Sequence, residues 1–338
     1  MEFKNVLITG IGGSAGSYLA EYIVENHPEV KVSGIVRWHT EPSLKNLQDC
    51  IDDVDIHECD LQDFSSILRV LQEVKPDCIF HLASHAKQRE GFINPLLMVG
   101  GNVMGTANLL EAIRFTKTNP HIMICSTSEL YGKVSEENVP ITEECPIAPV
   151  NPYAVSKLTQ DYLGYAYYKS WDLNVIRTRT FGYINPRRKD IFSTSFAIQI
   201  AKIEKEGSGI IKHGNLDSVR TLIDVRDVAK LHLKAMITPE ANVKRFIAAH
   251  TKPAWMYEVA EVLSKAGYDK IKLKKAPSFL LKLIGLFDKK TKSLVPMLDK
   301  YVPTDNSQTV DILKWEPMPW DQAFIEHAKS VEAIKNKS

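Results

Sequence analysis

The residues best placed for chemistry in this sequence are Tyr153 and Lys157, which stand four positions apart. The pattern from Tyr153 to about Tyr168 predicts a long helix, and side chains four apart on a helix share one face about one turn apart. An ammonium group at that distance lowers the pKa of a phenol, which is ordinarily about 10. The pair therefore predicts a tyrosine that shuttles protons.

The same spacing occurs a second time, in Tyr165 and Lys169. The two copies lie twelve positions apart, which is about 120° around a helix, so only one of them can face a common site. Tyr153 comes directly after a long loop that follows the fifth predicted strand. We therefore assign the catalytic role to Tyr153 and Lys157.

Two further polar residues, Thr127 and Glu129, follow that fifth strand. Thr127 places a hydroxyl at the carboxyl end of the strand, where open α/β sheets bind their ligands. Hydride transfer needs only the hydroxyl, the tyrosine and the lysine. The added carboxylate of Glu129 indicates a second proton transfer, such as removal of a proton next to a new ketone. The alternative is that Glu129 is a solvated turn residue.

Strand-like and helical segments alternate along the first 180 residues. Strands are predicted at Val6–Thr9, Val32–Val36, Asp55–His57, Cys78–His81, Ile122–Cys125 and Leu173–Thr178. This alternation predicts an α/β fold with a doubly wound parallel sheet, a Rossmann fold, and a smaller C-terminal substrate lobe. We place the nucleotide-binding domain at residues 1–180 with a return segment near 221–245, and the lobe at 181–220 and 246–330. Within the return segment, we expect the chain to cross back to the sheet near Thr221–Val228.

A glycine loop, with glycines at 10, 13 and 16, joins the first strand to the first helix. Glycines let the backbone turn tightly and approach a pyrophosphate, which the helix N-terminus attracts. The loop therefore predicts a dinucleotide site, although a tight turn without a ligand remains the alternative.

The cofactor preference depends on the end of the second strand, where an NAD enzyme usually carries an acidic residue. Here the chain has Arg37, which can pair with a 2′-phosphate and stack on adenine, so we predict NADP. The alternative is an exposed arginine on a loop. Asp60 and Leu61 after the third strand are placed to meet the adenine edge, and Ala83 follows the fourth strand.

Composition excludes some functions and partners. The 338 residues carry a formal net charge of +1, which offers no general attraction for nucleic acid or membrane. Five cysteines without regular ligand spacing predict reduced thiols, no metal site and a cytoplasmic protein. The N-terminus has no signal-peptide pattern. The apolar run Phe279–Phe287 is too short to span a membrane and predicts an amphipathic helix or loop.

Several segments resemble the extended short-chain dehydrogenase/reductase superfamily, and within it the GDP-mannose 4,6-dehydratases and the related GDP-4-keto-6-deoxymannose reductases. They are ITGIGGSAGSYLAEY, CSTSELYGKV, NPYAVSKLTQDYLGY, INPRRKDIF and GNLDSVRTLIDVRDV, within roughly residues 4–235. The resemblance implies catalytic roles for Thr127, Glu129, Tyr153 and Lys157. It also implies NADP contacts at Gly10, Gly13, Gly16 and Arg37.

The resemblance further implies two substrate-binding arginines. Arg187 falls in an arginine-rich segment that contacts the sugar nucleotide, and Arg220 matches the arginine that meets the diphosphate. Arg220 also stands in a polar stretch before a strand, which suits bidentate phosphate binding, with a surface salt bridge as the alternative.

The chain departs from that family pattern in two places. Phe181-Gly182-Tyr183 lacks an asparagine that the family has before its arginine-rich loop. From Arg245 onward the chain is more similar to bacterial dihydroflavonol-reductase-like aldehyde reductases. The substrate lobe therefore leaves the identity of the sugar open.

These features together predict a sugar-nucleotide enzyme. The leading hypothesis is an NADP-dependent nucleotide-sugar 4,6-dehydratase acting on GDP-mannose, assembled as a homodimer or homotetramer. The alternatives are an NADPH-dependent reductase of a 4-keto sugar or aldehyde, a nucleotide-sugar epimerase, and a dinucleotide-sensing protein without turnover.

Overall fold

A computed structural model describes residues 3–37, 44–188, 191, 193–196, 198–199, 209–213, 219–250, 252–265, 271–275 and 303–336. The predicted amphipathic segment Phe279–Phe287 lies outside the described residues. The strands are β1 (Asn5–Thr9), β2 (Lys31–Val36), β3 (Val54–Glu58), β4 (Cys78–His81), β5 (His121–Thr127), β6 (Val175–Thr180), β7 (Tyr183–Ile184), β8 (Gly209–His213), β9 (Val219–Arg220), β10 (Ile223–Asp224), β11 (Arg245–Ala248), β12 (Ala254–Trp255) and β13 (Ile271–Lys275).

Helices connect these strands and cover the faces of the sheet. They are α1 (Gly16–Asn26), α2 (Phe64–Val74), α3 (Gln88–Ile93), α4 (Pro95–Met98), α5 (Gly105–Thr116), α6 (Pro152–Trp171), α7 (Val225–Ile237), α8 (Met256–Lys265), α9 (Ser307–Leu313) and α10 (Trp320–Asn336). A π-helical segment, Val99–Met104, joins α4 to α5.

Seven parallel strands form the central sheet, in the order β11-β6-β5-β4-β1-β2-β3. All six residues of β6 are buried, as expected when helices cover both faces of a parallel sheet. The strand order reverses between β1 and β4, and a doubly wound sheet binds its ligands at the carboxyl ends beside such a reversal. The predicted fold class, a doubly wound Rossmann sheet, is confirmed.

Successive side chains of a strand point to opposite faces, so β1 contributes to two apolar layers. Val6 and Ile8 pack in one layer, and Leu7 packs in the other. The first layer holds residues from α1 and α7, among them Leu19, Ile23, Val228 and Leu231. The second holds residues from α2, α5 and α6, among them Ile67, Leu109 and Tyr167.

The chain returns to the central sheet in two steps, first with helix α7 and then with strand β11. Thr221–Val228, where we expected the crossing, contains the start of α7, because the Asp224 side chain accepts a hydrogen bond from the Arg226 amide and caps that helix. The strand that rejoins the sheet is β11, paired in parallel with β6. A boundary at residue 245 therefore cuts this strand, which ends at Ala248.

The C-terminal residues pack back onto this edge of the sheet. Thr309 donates its hydroxyl hydrogen to the Ile247 carbonyl at 2.9 Å, and the Asn306 amide donates to the Ala249 carbonyl at 2.7 Å. Thr304 forms a β-bridge with Ile141, which belongs to the long loop between β5 and α6. The C-terminal segment thus holds that loop beside β11.

One described helical run, Pro95–Thr116, has the length and apolar composition of a membrane-spanning helix. Its second part is α5, which packs against α2 and α6. Leu109, Leu110 and Ile113 of α5 are fully buried in the second apolar layer. The apolar composition of α5 is therefore accounted for by the core of this fold.

Candidate active site

The helix that carries the predicted proton shuttle is α6. It begins where the Asn151 side chain accepts a hydrogen bond from the Ala154 amide at 2.8 Å, and Pro152 occupies its first turn. Tyr153 and Lys157 both lie on its buried face. The expected helix from Tyr153 to Tyr168 is present and continues to Trp171.

Three of the predicted catalytic residues meet at the carboxyl end of β5. Thr127 is the last residue of that strand, and its hydroxyl lies close enough to the Tyr153 phenol to lower the pKa of that phenol. Lys157 donates a hydrogen bond from Nζ to the carbonyl of Cys125. The structure therefore places Thr127, Tyr153 and Lys157 in one cluster at the edge of the sheet where ligands bind.

Burial dominates the ionisation of this cluster. Burial raises the pKa of Tyr153 above its usual value, while the positive charge of Arg188 and the hydrogen bond with Thr127 lower it. Burial lowers the pKa of Lys157. Both effects disfavour the charged form, so nearby charges decide how readily Tyr153 releases its proton.

The second copy of the motif lies on the outer face of α6. Tyr165 is 39% exposed. Its ring stacks under the guanidinium of Arg177 and lies near the ammonium of Lys169. Tyr165 and Lys169 thus point away from Thr127, as the twelve-residue offset predicts.

Glu129 occupies a single 3₁₀ turn, Ser128–Tyr131, directly after β5. The Thr127 hydroxyl accepts a hydrogen bond from the Glu129 amide at 3.3 Å, which fixes the turn to the strand end. The carboxylate of Glu129 lies close enough to Arg220 to raise the pKa of that guanidinium, although burial lowers it more. Two residues predicted to act on the substrate are thereby brought together from segments about 90 residues apart.

Two glycines of the loop after β1 form a cradle with no room for side chains. Gly10 has φ +74°, and a Cβ on it would lie 2.9 Å from the Ala83 Cα. A Cβ on Gly16 would lie 2.3 Å from the Gly10 carbonyl oxygen. The loop is therefore closed by backbone packing against the β4 loop, with the N-terminus of α1 behind it.

A cleft of about 240 Å³ opens in front of this cradle. Six of the seven predicted cofactor residues line it: Gly10, Gly13, Arg37, Asp60, Leu61 and Ala83. The seventh, Gly16, is buried at the start of α1. This donor set fits a nicotinamide dinucleotide, because free amides and a helix N-terminus can meet the pyrophosphate and an arginine can meet a 2′-phosphate.

Within the described part of the chain, no three His, Cys, Asp or Glu side chains are arranged to hold a metal ion. All five cysteines are free thiols.

The side chains of two neighbouring arginines in the arginine-rich segment, Arg187 and Arg188, point in opposite directions. Arg187, the predicted substrate contact, turns toward α1, where it donates to the Ser17 hydroxyl at 2.8 Å. Arg188 turns the other way and donates to the Tyr183 hydroxyl and the Ala86 carbonyl, both at 3.1 Å. The arginine beside Tyr153 is therefore Arg188, which the sequence analysis did not select. A substrate contact by Arg187 stays a prediction that this geometry does not favour.

A buried polar network, which the sequence analysis also missed, links the cofactor cradle to α6. His81 at the end of β4 forms hydrogen bonds of 2.8 Å with Thr9 on one ring nitrogen and with Thr106 on the other. Gln160 of α6 donates to the same Thr106 hydroxyl at 2.6 Å. Burial lowers the pKa of His81 to about 3, so the ring is neutral and acts as a rigid connector.

A second buried network holds α6 to the loop behind Glu129. Asp161 pairs with Arg177 at 3.2 Å and with Arg179 at 3.1 Å. Arg179 also donates to the Tyr131 hydroxyl and to the Glu143 carbonyl, both at 2.9 Å. Arg179 thus joins the catalytic helix to the turn that carries the carboxylate.

Comparisons with known proteins show which family this chain is similar to. A family model described as GDP-mannose 4,6 dehydratase matches residues 7–316. The chain is 30% identical over 272 residues to GDP-mannose 4,6-dehydratase of Yersinia enterocolitica, covering 78% of this chain and 72% of that protein. It is 36% identical over 245 residues to the Vibrio cholerae protein of the same name, covering 68% of this chain and 64% of that protein.

A solved structure shares the whole fold. The structure of RMD from Pseudomonas aeruginosa complexed with NADPH superposes with a TM-score of 0.78 and covers 98% of both chains. The two sequences are 22% identical, so this likeness concerns the fold alone.

Proposed function

We propose that this chain, which belongs to the GDP-mannose 4,6-dehydratase family of extended short-chain dehydrogenases/reductases, is an NADP-dependent dehydratase that converts GDP-mannose to GDP-4-keto-6-deoxymannose. The observation that carries the proposal is the position of Glu129. Its carboxylate stands two residues beyond Thr127, whose hydroxyl accepts a hydrogen bond from the Glu129 amide and lies close enough to Tyr153 to lower the pKa of the phenol.

The residues divide the reaction into two proton transfers. Tyr153 accepts the proton of the C4 hydroxyl, because the charge of Arg188 and the hydroxyl of Thr127 both lower the pKa of its phenol. Lys157, one helical turn away, is held by the Cys125 carbonyl. Glu129 then takes the C5 proton, which the new C4 ketone makes acidic, and passes it to the C6 hydroxyl, which leaves as water. A nicotinamide bound in the cleft would supply the redox chemistry by holding the hydride from C4 until it goes to C6, while Tyr153 gives its proton to C5.

Substrate binding needs a cation for the diphosphate, and Arg220 supplies it in the proposal. The buried guanidinium already lies near the carboxylate of Glu129, so a diphosphate held by Arg220 brings the hexose to the catalytic turn. Guanidinium groups suit this task because their donors match two phosphate oxygens at once.

A nucleotide-sugar epimerase and a plain NADPH-dependent reductase are the competing enzymes. Neither requires a carboxylate that takes a carbon-bound proton, whereas this chain carries Glu129 in the turn directly after β5, bonded to Thr127. A dinucleotide sensor without turnover has no need of the buried Tyr153 and Lys157 cluster.

The test is incubation of the purified protein with a panel of nucleotide sugars and a small amount of NADP⁺. The proposal expects GDP-mannose to lose one molecule of water, detected by mass spectrometry, without net use of cofactor. Stoichiometric consumption of NADPH with a 4-keto sugar, and no loss of water from GDP-mannose, would support the reductase instead.

The preference for NADP over NAD belongs to the same proposal. Arg37 lines the cleft beside Asp60 and Leu61, where the adenosine end of a dinucleotide is expected. The family-related protein RMD is complexed with NADPH in its solved structure. A guanidinium at the end of β2 favours a cofactor that carries a 2′-phosphate.

For assembly and location, we propose a cytoplasmic homodimer or homotetramer. Exposed apolar side chains from the segment before α5 and from α6 form one candidate contact face; they are Phe92, Ile93, Leu96, Val99, Met104, Val155 and Tyr162. Contiguous exposed apolar patches often mark sites of protein–protein contact. The free thiols favour a reducing compartment.

A further inference from the structure

The segment Asn185–Arg188 contacts both walls of the cofactor cleft. Asn185 is fully buried, and its side-chain amide donates to the carbonyl of Ser14 in the glycine loop at 3.2 Å. Arg187 binds the first turns of α1, and Arg188 donates to Ala86 in the loop after β4. Four consecutive residues therefore connect the glycine loop, the first helix and the opposite wall of the cleft.

Arg187 makes three contacts with α1, one on each of three side chains. Its guanidinium donates to Ser17 Oγ at 2.8 Å and to Glu21 Oε1 at 2.5 Å, and it stacks 3.9 Å above the ring of Tyr18. Arg187 is only 17% exposed and Glu21 only 13%. Charge-assisted hydrogen bonds and cation–π contacts are stronger when they are shielded from solvent in this way.

The position of these contacts links them to the cofactor. Ser14 and Ser17 stand on either side of Gly16, at the point where the glycine loop becomes helix α1. The carboxylate of Glu21 fixes the guanidinium of Arg187 against these first turns by a charge-assisted hydrogen bond. Arg187 thereby steadies the loop and the helix N-terminus that can meet the phosphates.

We propose that Arg187 is a positioning residue for the cofactor. By holding the glycine loop and the first turns of α1 together, Arg187 slows release of the dinucleotide. The inference deepens the proposed function, because a reaction that returns to C6 the hydride taken from C4 requires the same cofactor molecule to stay bound throughout. This role differs from the substrate contact that the sequence predicts for Arg187.

The test is the rate at which bound NADPH leaves the protein. In Arg187→Met, NADPH fluorescence is followed in stopped flow after excess NADP⁺ is added, with no sugar nucleotide present. We expect release about 10-fold faster than from the wild type, since each 1.4 kcal/mol of lost contact energy changes an equilibrium tenfold.

Arg114→Met is the matched control. Arg114 also pairs with a glutamate, Glu111, at 2.7 Å and lies 5.4 Å over an aromatic ring, that of Trp171. It sits in the last turn of α5, away from the glycine loop. This variant loses the same kinds of contact and should release NADPH at the wild-type rate.

A second variant, Glu21→Gln, changes the partner of Arg187 in the same ion pair. It tests the same contact if Arg187→Met does not fold. It keeps the size of the side chain but loses the charge that fixes Arg187, so release should be faster by about threefold. If the variants that fold release NADPH at the wild-type rate, the inference is overturned. The measurement needs no substrate, so it stands even if the dehydratase proposal fails.

A turnover experiment separates the two proposals. During dehydration, Arg187→Met should leak reduced cofactor into solution, where an NADPH-consuming trap enzyme detects it, and the wild type should not. Faster release without any dehydration in either protein would retain the role of Arg187 and reject the proposed reaction.

Discussion

Arg188→Met gives a sharp test of the electrostatics at Tyr153. Burial raises the pKa of the phenol, and the positive charge of Arg188 is the first of the influences that lower it. Arg188 is held in place by its bonds to Tyr183 and Ala86. Removing its charge should therefore raise the pKa of Tyr153 further and reduce the fraction of phenolate at any pH below that value.

The size of the effect follows from Coulomb's law. Two unit charges about 8 Å apart interact by about 2 kcal/mol at an effective dielectric constant of about 20. That energy corresponds to about 1.5 pKa units in a dry site. Arg188 is partly exposed, so solvent screening should reduce the shift to about 1 unit.

The assay is kcat/KM for the sugar nucleotide as a function of pH at saturating NADP⁺, which reports groups of the free enzyme. The midpoint of the limb that rises with pH should move up by about 1 unit, so the rate at a fixed lower pH falls roughly tenfold. Arg187→Met is the matched control, because that side chain faces α1, and its midpoint should stay at the wild-type value. An equal midpoint in Arg188→Met and wild type, or a shift to lower pH, would show that the charge of Arg188 does not lower the pKa of Tyr153.

Three further substitutions test other parts of the site. Tyr153→Phe should abolish turnover, while NADP binding, measured by fluorescence titration, is retained. Tyr165→Phe, at the outward-facing tyrosine, should change turnover little. Loss of turnover in Tyr165→Phe would mean that the other face of α6 carries the catalytic tyrosine. Arg37→Ala should weaken NADP far more than NAD in the same titration, and equal losses would make this arginine structural. Asp161→Asn leaves two buried guanidinium groups without their carboxylate and should lower the free energy of unfolding in urea by about 3–5 kcal/mol. Glu111→Gln breaks an exposed ion pair and should lower that free energy by under about 1 kcal/mol. Equal losses in the two variants would contradict a structural role for the buried network.

The parts of the site that the sequence predicts are those determined by local pattern. The β-branched runs identify the strands, and glycine spacing after β1 identifies the cradle. The offset between Tyr153 and Tyr165 identifies the inward face of α6 because helical geometry fixes the angle between them. Thr127 follows from the same reasoning, since the end of a strand and the end of its apolar run coincide.

Other features depend on contacts between distant segments, which local pattern does not encode. Arg187 and Arg188 are adjacent and chemically identical, and only the path of the chain past Ser14 turns one toward α1 and the other toward Ala86. A four-residue strand such as β11 carries too little periodicity to be distinguished from a loop. Its position is determined by pairing with β6.

The buried connectors were missed for a related reason. His81, Gln160 and Asp161 are polar residues in apolar elements, and sequence spacing gives no sign of their partners. Their hydrogen bonds reach Thr9, Thr106, Arg177 and Arg179 across long stretches of chain. Because unpaired polar groups are costly in a core, these residues specify how α6 docks on the sheet.

The central claim is that Glu129 takes a carbon-bound proton, and Glu129→Gln tests it most directly. The amide keeps the size of the side chain but cannot act as a base, and loss of a general base typically costs about 10²–10⁴-fold. When the variant is mixed with GDP-mannose and NADP⁺, oxidation at C4 should proceed while elimination stalls. We expect a rise in nicotinamide absorbance from bound, reduced cofactor, and little or no 4-keto-6-deoxy product by mass spectrometry. Wild-type rates of product formation in Glu129→Gln, with no accumulation of reduced cofactor, would contradict this claim.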